Sequence, residues 1–220
     1  MTIKSVFFDI DGTLVDSNDL HVLAWQEAFR RFGVALPPDA IHDQIGKGGD
    51  NLIPTLLPGA DEAKRQAIDD AHAEIYGTFR PKVRPFPKAR ELLARARGAG
   101  LKVLLASSAS KDEVDFYLDL LDARAMVTAV TSADDVAQSK PAPDIFACAL
   151  TKVAPLTAEQ VMVVGDTPYD VAAARKCGIA TIGVRSGRFP DAALLEAGAV
   201  ALYDDVEALF SAYADSPLAA

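Results

Sequence analysis

Four short stretches of this 220-residue chain carry side chains whose types and spacing could do chemistry. Asp9 and Asp11 are separated by one residue and followed by Gly12-Thr13-Leu14; Ser107 begins a run Ser107-Ser108-Ala109-Ser110; Lys140 precedes Pro141; Asp166 follows Gly165, with Asp170 four residues on. Taken singly, each has a plain structural use: Asp and Gly close strands in turns, serines cap helices, and a lysine before proline is ordinarily a solvated loop residue. Together they supply a carboxylate nucleophile, a second acid, a hydroxyl, a fixed cation and further oxygen ligands, which is the set that phosphoryl transfer needs. A phosphate ester and an attacking carboxylate repel each other until counter-charges are in place. A hard divalent ion such as Mg²⁺ takes oxygen ligands, so the carboxylates of Asp9 and Asp166 with the backbone carbonyl of Asp11 are its candidate holders. Lys140 and the Ser107 hydroxyl are candidates for the remaining phosphoryl oxygens.

These residues help one another only if the fold brings them to one place, and the pattern of apolar runs says how. Ile3 to Phe8 is too short for a helix and ends at once in Asp, Gly and Thr, which reads as a buried strand running into a polar turn. From Lys88 onward helices and strands alternate: helix 88–97, strand 101–106, helix 111–121, strand 126–131, helix 144–153, strand 161–164, helix 169–176, strand 179–184, helix 191–197, strand 200–203 and helix 205–213. Such alternation implies a doubly wound, Rossmann-like α/β fold with a mostly parallel sheet, whose ligands bind outside the carboxyl ends of the strands. Asp9, Ser107 and Asp166 each stand at such an end.

Between residues 17 and 81 no strand pattern occurs. Helical spacing from Leu20 to Phe32 gives way to Pro37-Pro38, a glycine-rich turn Gly46-Lys47-Gly48-Gly49, and further helices over 50–57 and 61–79, the first interrupted by Pro54. That block is too long for a simple connection, so it is expected to be an inserted α-helical cap over 17–81, with the core formed by 1–16 and 82–220. The proline-rich stretch Arg80 to Pro87 reads as an extended second hinge. A cap on two hinges can close over the end of the strand that bears Asp9 and exclude water.

Composition bounds the partners. Half of the residues are apolar and the formal charge is −9, so there is a core to bury and no basic stripe to neutralise a nucleic-acid backbone. No apolar run approaches the roughly 20 residues of a membrane span, and no secretory pattern precedes the first strand. The expectation is a soluble, cytoplasmic, monomeric protein that acts on a small phosphorylated metabolite. Cys148 and Cys177 belong to no paired motif, and His21, His42 and His72 are too far apart in sequence to suggest a metal pair.

At Asp9-Ile10-Asp11-Gly12-Thr13, Ser107, Lys140-Pro141 and Gly165-Asp166 with Asp170, the sequence resembles the haloacid-dehalogenase-like superfamily, over essentially the whole chain. The resemblance is specifically to its phosphatase branch with a helical cap after the first strand, the phosphoglycolate phosphatase and β-phosphoglucomutase-like members. It implies that Asp9 attacks phosphorus to give an aspartyl phosphate, that Asp11 protonates the leaving alcohol and then deprotonates water, and that Ser107 and Lys140 bind the transferring group. Asp9, Asp11 and Asp166 would ligate Mg²⁺, and Asp170 would orient Lys140 or a metal-bound water. Haloacid dehalogenases and phosphonatases of the superfamily lack an aspartate where Asp11 stands, which favours an oxygen leaving group. The first cap helix, with Leu20 to Trp25, is similar to that of mutases and phosphatases alike, but the mutases' arginine-bearing cap loop has its counterpart here in Ile45-Gly46-Lys47-Gly48-Gly49-Asp50. The phosphatase reading therefore leads, with a β-phosphoglucomutase-type phosphomutase and a non-catalytic binding module as alternatives. Ser108, Lys47, His21 and Asn18 are the candidate substrate contacts.

Overall fold

The computed structural model describes residues 2–219. Its first strand, β1 (Ser5–Phe8), is fully buried and gives way to a tight turn. There the Ile10 carbonyl accepts the amides of Thr13, Leu14 and Val15 at 3.1, 2.8 and 3.1 Å. A short strand β2 (Val15–Asp16) follows, then the helices α1 (Asn18–Arg31), α2 (Pro38–His42), α3 (Gly49–Leu56) and α4 (Glu62–Phe79), then β3 (Arg84–Pro85). β2 and β3 pair antiparallel, Val15 with Pro85 and Asp16 with Arg84, so the two chain passages into and out of the helical block form one ribbon. Sequence pattern shows β3 only as an extended stretch and misses β2, because a two-residue strand has no periodicity to read.

The rest of the chain supplies α5 (Ala89–Gly98), β4 (Lys102–Ala106), α6 (Lys111–Leu120), β5 (Ala129–Thr131), α7 (Asp144–Thr151), β6 (Val161–Gly165), α8 (Pro168–Lys176), β7 (Ala180–Val184), α9 (Asp191–Ala197), β8 (Ala201–Tyr203) and α10 (Val206–Ser211). Six strands make one parallel sheet in the order β5-β4-β1-β6-β7-β8. This is the doubly wound α/β architecture expected from the alternation of runs. Side chains alternate across it: Phe7, Leu104 and Val163 pack with Ile145, Phe146 and Ala173 on one face, while Val6, Phe8, Val103, Leu105 and Val164 pack with Leu92, Leu93 and Tyr117 on the other.

Register is what positions the site. Phe8 stands opposite both Leu105 and Val164, so Asp9, Ala106 and Gly165 leave the sheet at one level, and Ser107 and Asp166 emerge one step beyond. The strands flanking β1 come from opposite sides of the winding, which opens the crevice there.

Two local expectations change. Pro54 lies within α3 without interrupting it. Gly46 to Gly49 is packed against the core, not a free turn: the Gly48 amide donates to Ser139 Oγ at 2.8 Å and Ser108 Oγ donates to the Gly46 carbonyl at 3.3 Å. At Gly46, φ is +99° and a Cβ would lie 2.7 Å from Thr167 Cγ2, so only glycine lets the loop come this close.

Candidate active site

Lys140 is the centre of the strand-end cluster. Its side chain is 1% exposed and its ammonium pairs with Asp9 Oδ1, with Asp170 Oδ1 at 2.7 Å, and with the Ala106 carbonyl at 3.0 Å. Burial works against the ammonium, but Asp170 and Asp9 outweigh it and hold Lys140 above the ordinary lysine value. Asp170 shows that the structural and chemical uses of a residue need not compete. Its Oδ2 accepts from the Thr167 amide at 3.1 Å and hydroxyl at 2.7 Å, closing the capping box at the start of α8, while Oδ1 faces Lys140.

Asp166 is fully buried beside them, accepting from Thr13 Oγ1 at 2.9 Å and Asn18 Nδ2 at 3.0 Å. Gly12, at φ +71°, makes room for it: a Cβ there would come 2.1 Å from Asp166 Oδ2. Oxygens of Asp9, Asp166 and Asp170 all lie within 4.8 Å of one another. Burial and the neighbouring carboxylates raise Asp166 well above the usual carboxyl range. Burial also pushes Asp9 up to about 7, against the pull of Lys140. Three buried carboxylates thus face a single buried cation, and Asn18 Oδ1 is buried without a partner among the described residues. An all-oxygen, charge-deficient cradle of this kind fits a hard divalent cation such as Mg²⁺.

Asp11 sits on the cleft side of the turn. It accepts from Ser17 Oγ at 2.6 Å, Tyr117 Oη at 2.7 Å and His21 Nε2 at 3.1 Å. Burial alone would raise Asp11, but the His21 charge and these hydrogen bonds outweigh it and hold the carboxyl below its ordinary value. Burial in turn opposes the His21 charge, and Asp11 overcomes that and raises His21. The pair therefore shares one proton.

Ser107 is buried and its Oγ accepts the Ala109 amide at 3.0 Å; the cap of α6 is instead Ser110, through a capping box with Glu113. Above these groups opens a cavity of about 350 Å³, walled by strand ends on one side and by α1, α4 and the Ile45 to Asp50 loop on the other. Ser107, Ser108, Lys47 and His21 line it with Asp9 and Asp11. Asn18, expected at the substrate, is placed instead on Asp166, because the first turn of α1 runs directly beneath the Gly12 turn. Lys47 reaches the cleft with its ammonium on Gln44 Oε1 at 2.6 Å and over the Tyr169 ring at 4.6 Å. Sequence reading misses Thr13 and Tyr117 as partners of the acids, and His72, whose Nε2 lies 3.2 Å from His21 Nδ1. The only signal for Thr13 is its place beside the acidic pair; His72 and Tyr117 are far from their partners in sequence and carry none.

A buried Asp-Lys-Asp cluster at the switch point of a parallel sheet, faced by Asp11 under a helical wall, makes a strand-end site for a small ligand. The family profile described as haloacid dehalogenase-like hydrolase matches residues 6–184, and the chain belongs to that family, in the branch that holds phosphoglycolate phosphatases and β-phosphoglucomutase-like proteins. The phosphoglycolate phosphatase (plasmid) of Cupriavidus necator is 32% identical over 212 residues, covering 93% of this chain and 90% of that protein. The phosphorylated carbohydrates phosphatase of Thermotoga maritima is 29% identical over 209 residues, covering 94% and 96%. SUPPRESSOR OF QUENCHING 1, a chloroplastic protein of Arabidopsis thaliana, is 31% identical over 93% of this chain, which spans only 20% of its length. Among solved structures, a hydrolase from Pseudomonas syringae superposes with a TM-score of 0.91 at 30% identity, covering 97% of this chain and 98% of that one. By family and relatives the chain is a phosphoric monoester hydrolase.

Proposed function

We propose that this enzyme hydrolyses a small phosphorylated metabolite, of the phosphoglycolate or sugar phosphate type, with Mg²⁺ and through an aspartyl phosphate. The observation that carries the reading is the placement of Asp9, bound through Oδ1 to a buried Lys140, on the floor of the cleft into which Asp11 also opens. In the first step the Asp9 carboxylate bonds to phosphorus, the ester P–O bond breaks, and the leaving oxygen takes the proton that Asp11 and His21 share. In the second, Asp11 removes a proton from water, the water oxygen bonds to phosphorus, and Asp9 is released as a carboxylate with inorganic phosphate. Ser107 and Lys140 hold phosphoryl oxygens, and Asp170 keeps Lys140 aimed. Asp9 and Asp166 with the Asp11 backbone carbonyl would hold the Mg²⁺, which supplies positive charge against the phosphoryl oxygens when bound. Residues 17–81 act as a cap on the core formed by 1–16 and 82–220, closing the cleft against water around the β2–β3 ribbon.

The test is phosphate release with and without Mg²⁺ over a panel of phosphoglycolate, hexose and pentose phosphates, nucleotides and phosphonates. Mg²⁺-dependent release from an ester supports the reading. Conversion of a sugar phosphate into its isomer without release would assign a phosphomutase, and inertness of every ester with Mg²⁺ present would sink the hydrolytic reading.

A further inference from the structure

The helical wall of the cleft differs in chemistry from the strand-end floor. α4 turns Asp69, His72 and Ala73 to the cavity, three residues at the spacing that shares one helix face. His72 is 9% exposed, stacks on Trp25 with centroids 3.8 Å apart, and uses Nε2 toward His21. Burial and the His21 charge hold it well below the ordinary histidine value, so it is a neutral imidazole, and its Nδ1 has no partner among the described residues. Asp69 likewise takes no hydrogen bond or ion pair among the described residues. Its carboxylate lies over Gly49, where a Cβ would come 2.0 Å from Oδ1. Burial and the nearby Asp70, Asp50 and Glu113 push it up to about 6.

Every other charged group that lines the cavity beyond Asp9, Asp11 and His21, on the helical wall or on the core side, has at least one partner, although Arg80 Nε is itself buried without one among the described residues. Asp50 accepts from the Ser139 amide at 2.9 Å, Glu113 from the Ser110 amide at 3.0 Å, and Asp134 from the Lys111 amide at 2.7 Å. Lys47 is on Gln44 at 2.6 Å and Arg80 on Asp112 at 2.6 Å. What α4 leaves open to a ligand is one carboxylate acceptor beside one neutral imidazole nitrogen, in a cavity lined, beyond Asp9 and Asp11, by the four acids Asp50, Asp69, Glu113 and Asp134 and the two cations Lys47 and Arg80. Hydroxyl groups satisfy such a pair, since each can donate to the carboxylate and bond to the ring. A second carboxylate on the substrate would meet twice as many acids as cations there, with Lys47 and Arg80 each already holding one partner.

Resting on the phosphatase reading above, we propose that Asp69, with His72 beside it, reads the hydroxyls of a polyol phosphate, a pentose or hexose phosphate, and disfavours esters whose organic half bears a carboxylate. The experiment compares kcat/KM of the Mg²⁺-loaded enzyme for hexose and pentose phosphates with that for phosphoglycolate, in the wild type and in Asp69→Ala, Asp69→Asn and His72→Phe. The wild type is expected to prefer the polyol esters at least about tenfold. Asp69→Ala should lower that preference about tenfold, through KM more than kcat, and Asp69→Asn, which keeps an acceptor oxygen and guards against a folding failure, should lower it less. His72→Phe keeps the stack on Trp25 and should weaken the same preference. Wild-type preference for phosphoglycolate, or a preference that no variant changes, overturns the assignment and leaves the phosphatase reading standing. Absence of phosphate release from every ester overturns both.

Discussion

The floor and the wall of the cleft are held in opposite ways. On the floor, Asp9 and Asp166 leave strand ends that register locks to one level, Asp170 stands in the first turn of α8 and Lys140 in the loop before α7, and Asp166, Asp170 and Lys140 are each tied by more than one short contact. On the wall, Asp69 and His72 Nδ1 have no partner among the described residues and Lys47 hydrogen-bonds only a neutral amide oxygen, although the loop and helices that carry them are tied to the core through Gly48, Asp50 and Asn51 on Ser139. The floor is arranged for one charge distribution whatever the ester; the wall leaves groups open for the part of the substrate that varies. Substitutions should therefore abolish chemistry on the floor and redistribute it on the wall.

The largest effect is expected at Asp9. Asp9→Asn keeps the shape and removes the nucleophile, so phosphate release should fall by at least about 10³-fold while the melting transition stays cooperative. Retained Mg²⁺-dependent release by this variant would falsify the nucleophile assignment. Next comes Lys140→Met. It leaves Asp9 and Asp170 facing each other without their cation, a change that costs about 3–5 kcal/mol when a buried pair is broken. Urea denaturation of the metal-free protein should show that loss growing as pH rises, because without the Lys140 charge Asp9 is lifted above its value of about 7 and at lower pH relieves the loss by keeping a proton. On the wall, Lys47→Ala should change stability by less than about 1 kcal/mol and act on KM. A similar loss of stability from both lysines would erase the distinction between floor and wall.

How legible each region is in the sequence follows from the same contrast. A buried parallel strand must be a continuous apolar run, and its functional residue must come directly after it, so Val6-Phe7-Phe8 before Asp9 and Val161 to Val164 before Gly165-Asp166 can be located from local pattern. A parallel, doubly wound sheet follows from the alternation of elements and the rule that crossovers cover both faces, whereas the strand order β5-β4-β1-β6-β7-β8 comes only from the structure. The wall has no such grammar. His21 meets His72 across 51 residues and Tyr117 reaches Asp11 across 106, and the spacing of His21, His72 and Tyr117 says only that each lies on a helix. Asn18 shows the limit most clearly: a polar residue at a helix start reads equally as a cap or a ligand contact, and only the approach of the Gly12 turn to Asp166 decides that it serves the acid.

Where floor and wall meet, at Asp11 and His21, the expected effect is intermediate. The pair holds one proton up to the raised value of His21, above that of an ordinary histidine. In His21→Asn, Asp11 keeps that proton only up to a carboxyl-like value, so the alkaline limb of the kcat profile should move to lower pH. Turnover at pH 7 should drop about 10–100-fold. An alkaline limb that stays in place would separate His21 from the proton inventory and leave it a packing partner of Tyr76, against which its ring stacks at 3.7 Å.

The smallest effect sharpens the comparison from the side of stability. Asp69 is raised from the ordinary 3.8 to about 6 in the folded protein, so between those values the folded chain holds a proton that the unfolded chain has released. Stability supplied by this group is complete below about pH 4 and is lost as pH rises through 6. Asp69→Asn removes that dependence. After allowance for the partial exposure of the site, the variant should be more stable than wild type by roughly 1–2 kcal/mol at pH 7.5, with the difference shrinking toward pH 4. Urea midpoints at the two pH values measure it, and the change in the difference, not its absolute size, isolates the carboxylate from any contact the amide makes or loses. A difference that does not change with pH would mean that Asp69 is not held against its neighbours, and the wall would then lack the open charge that separates it from the paired charges of the floor.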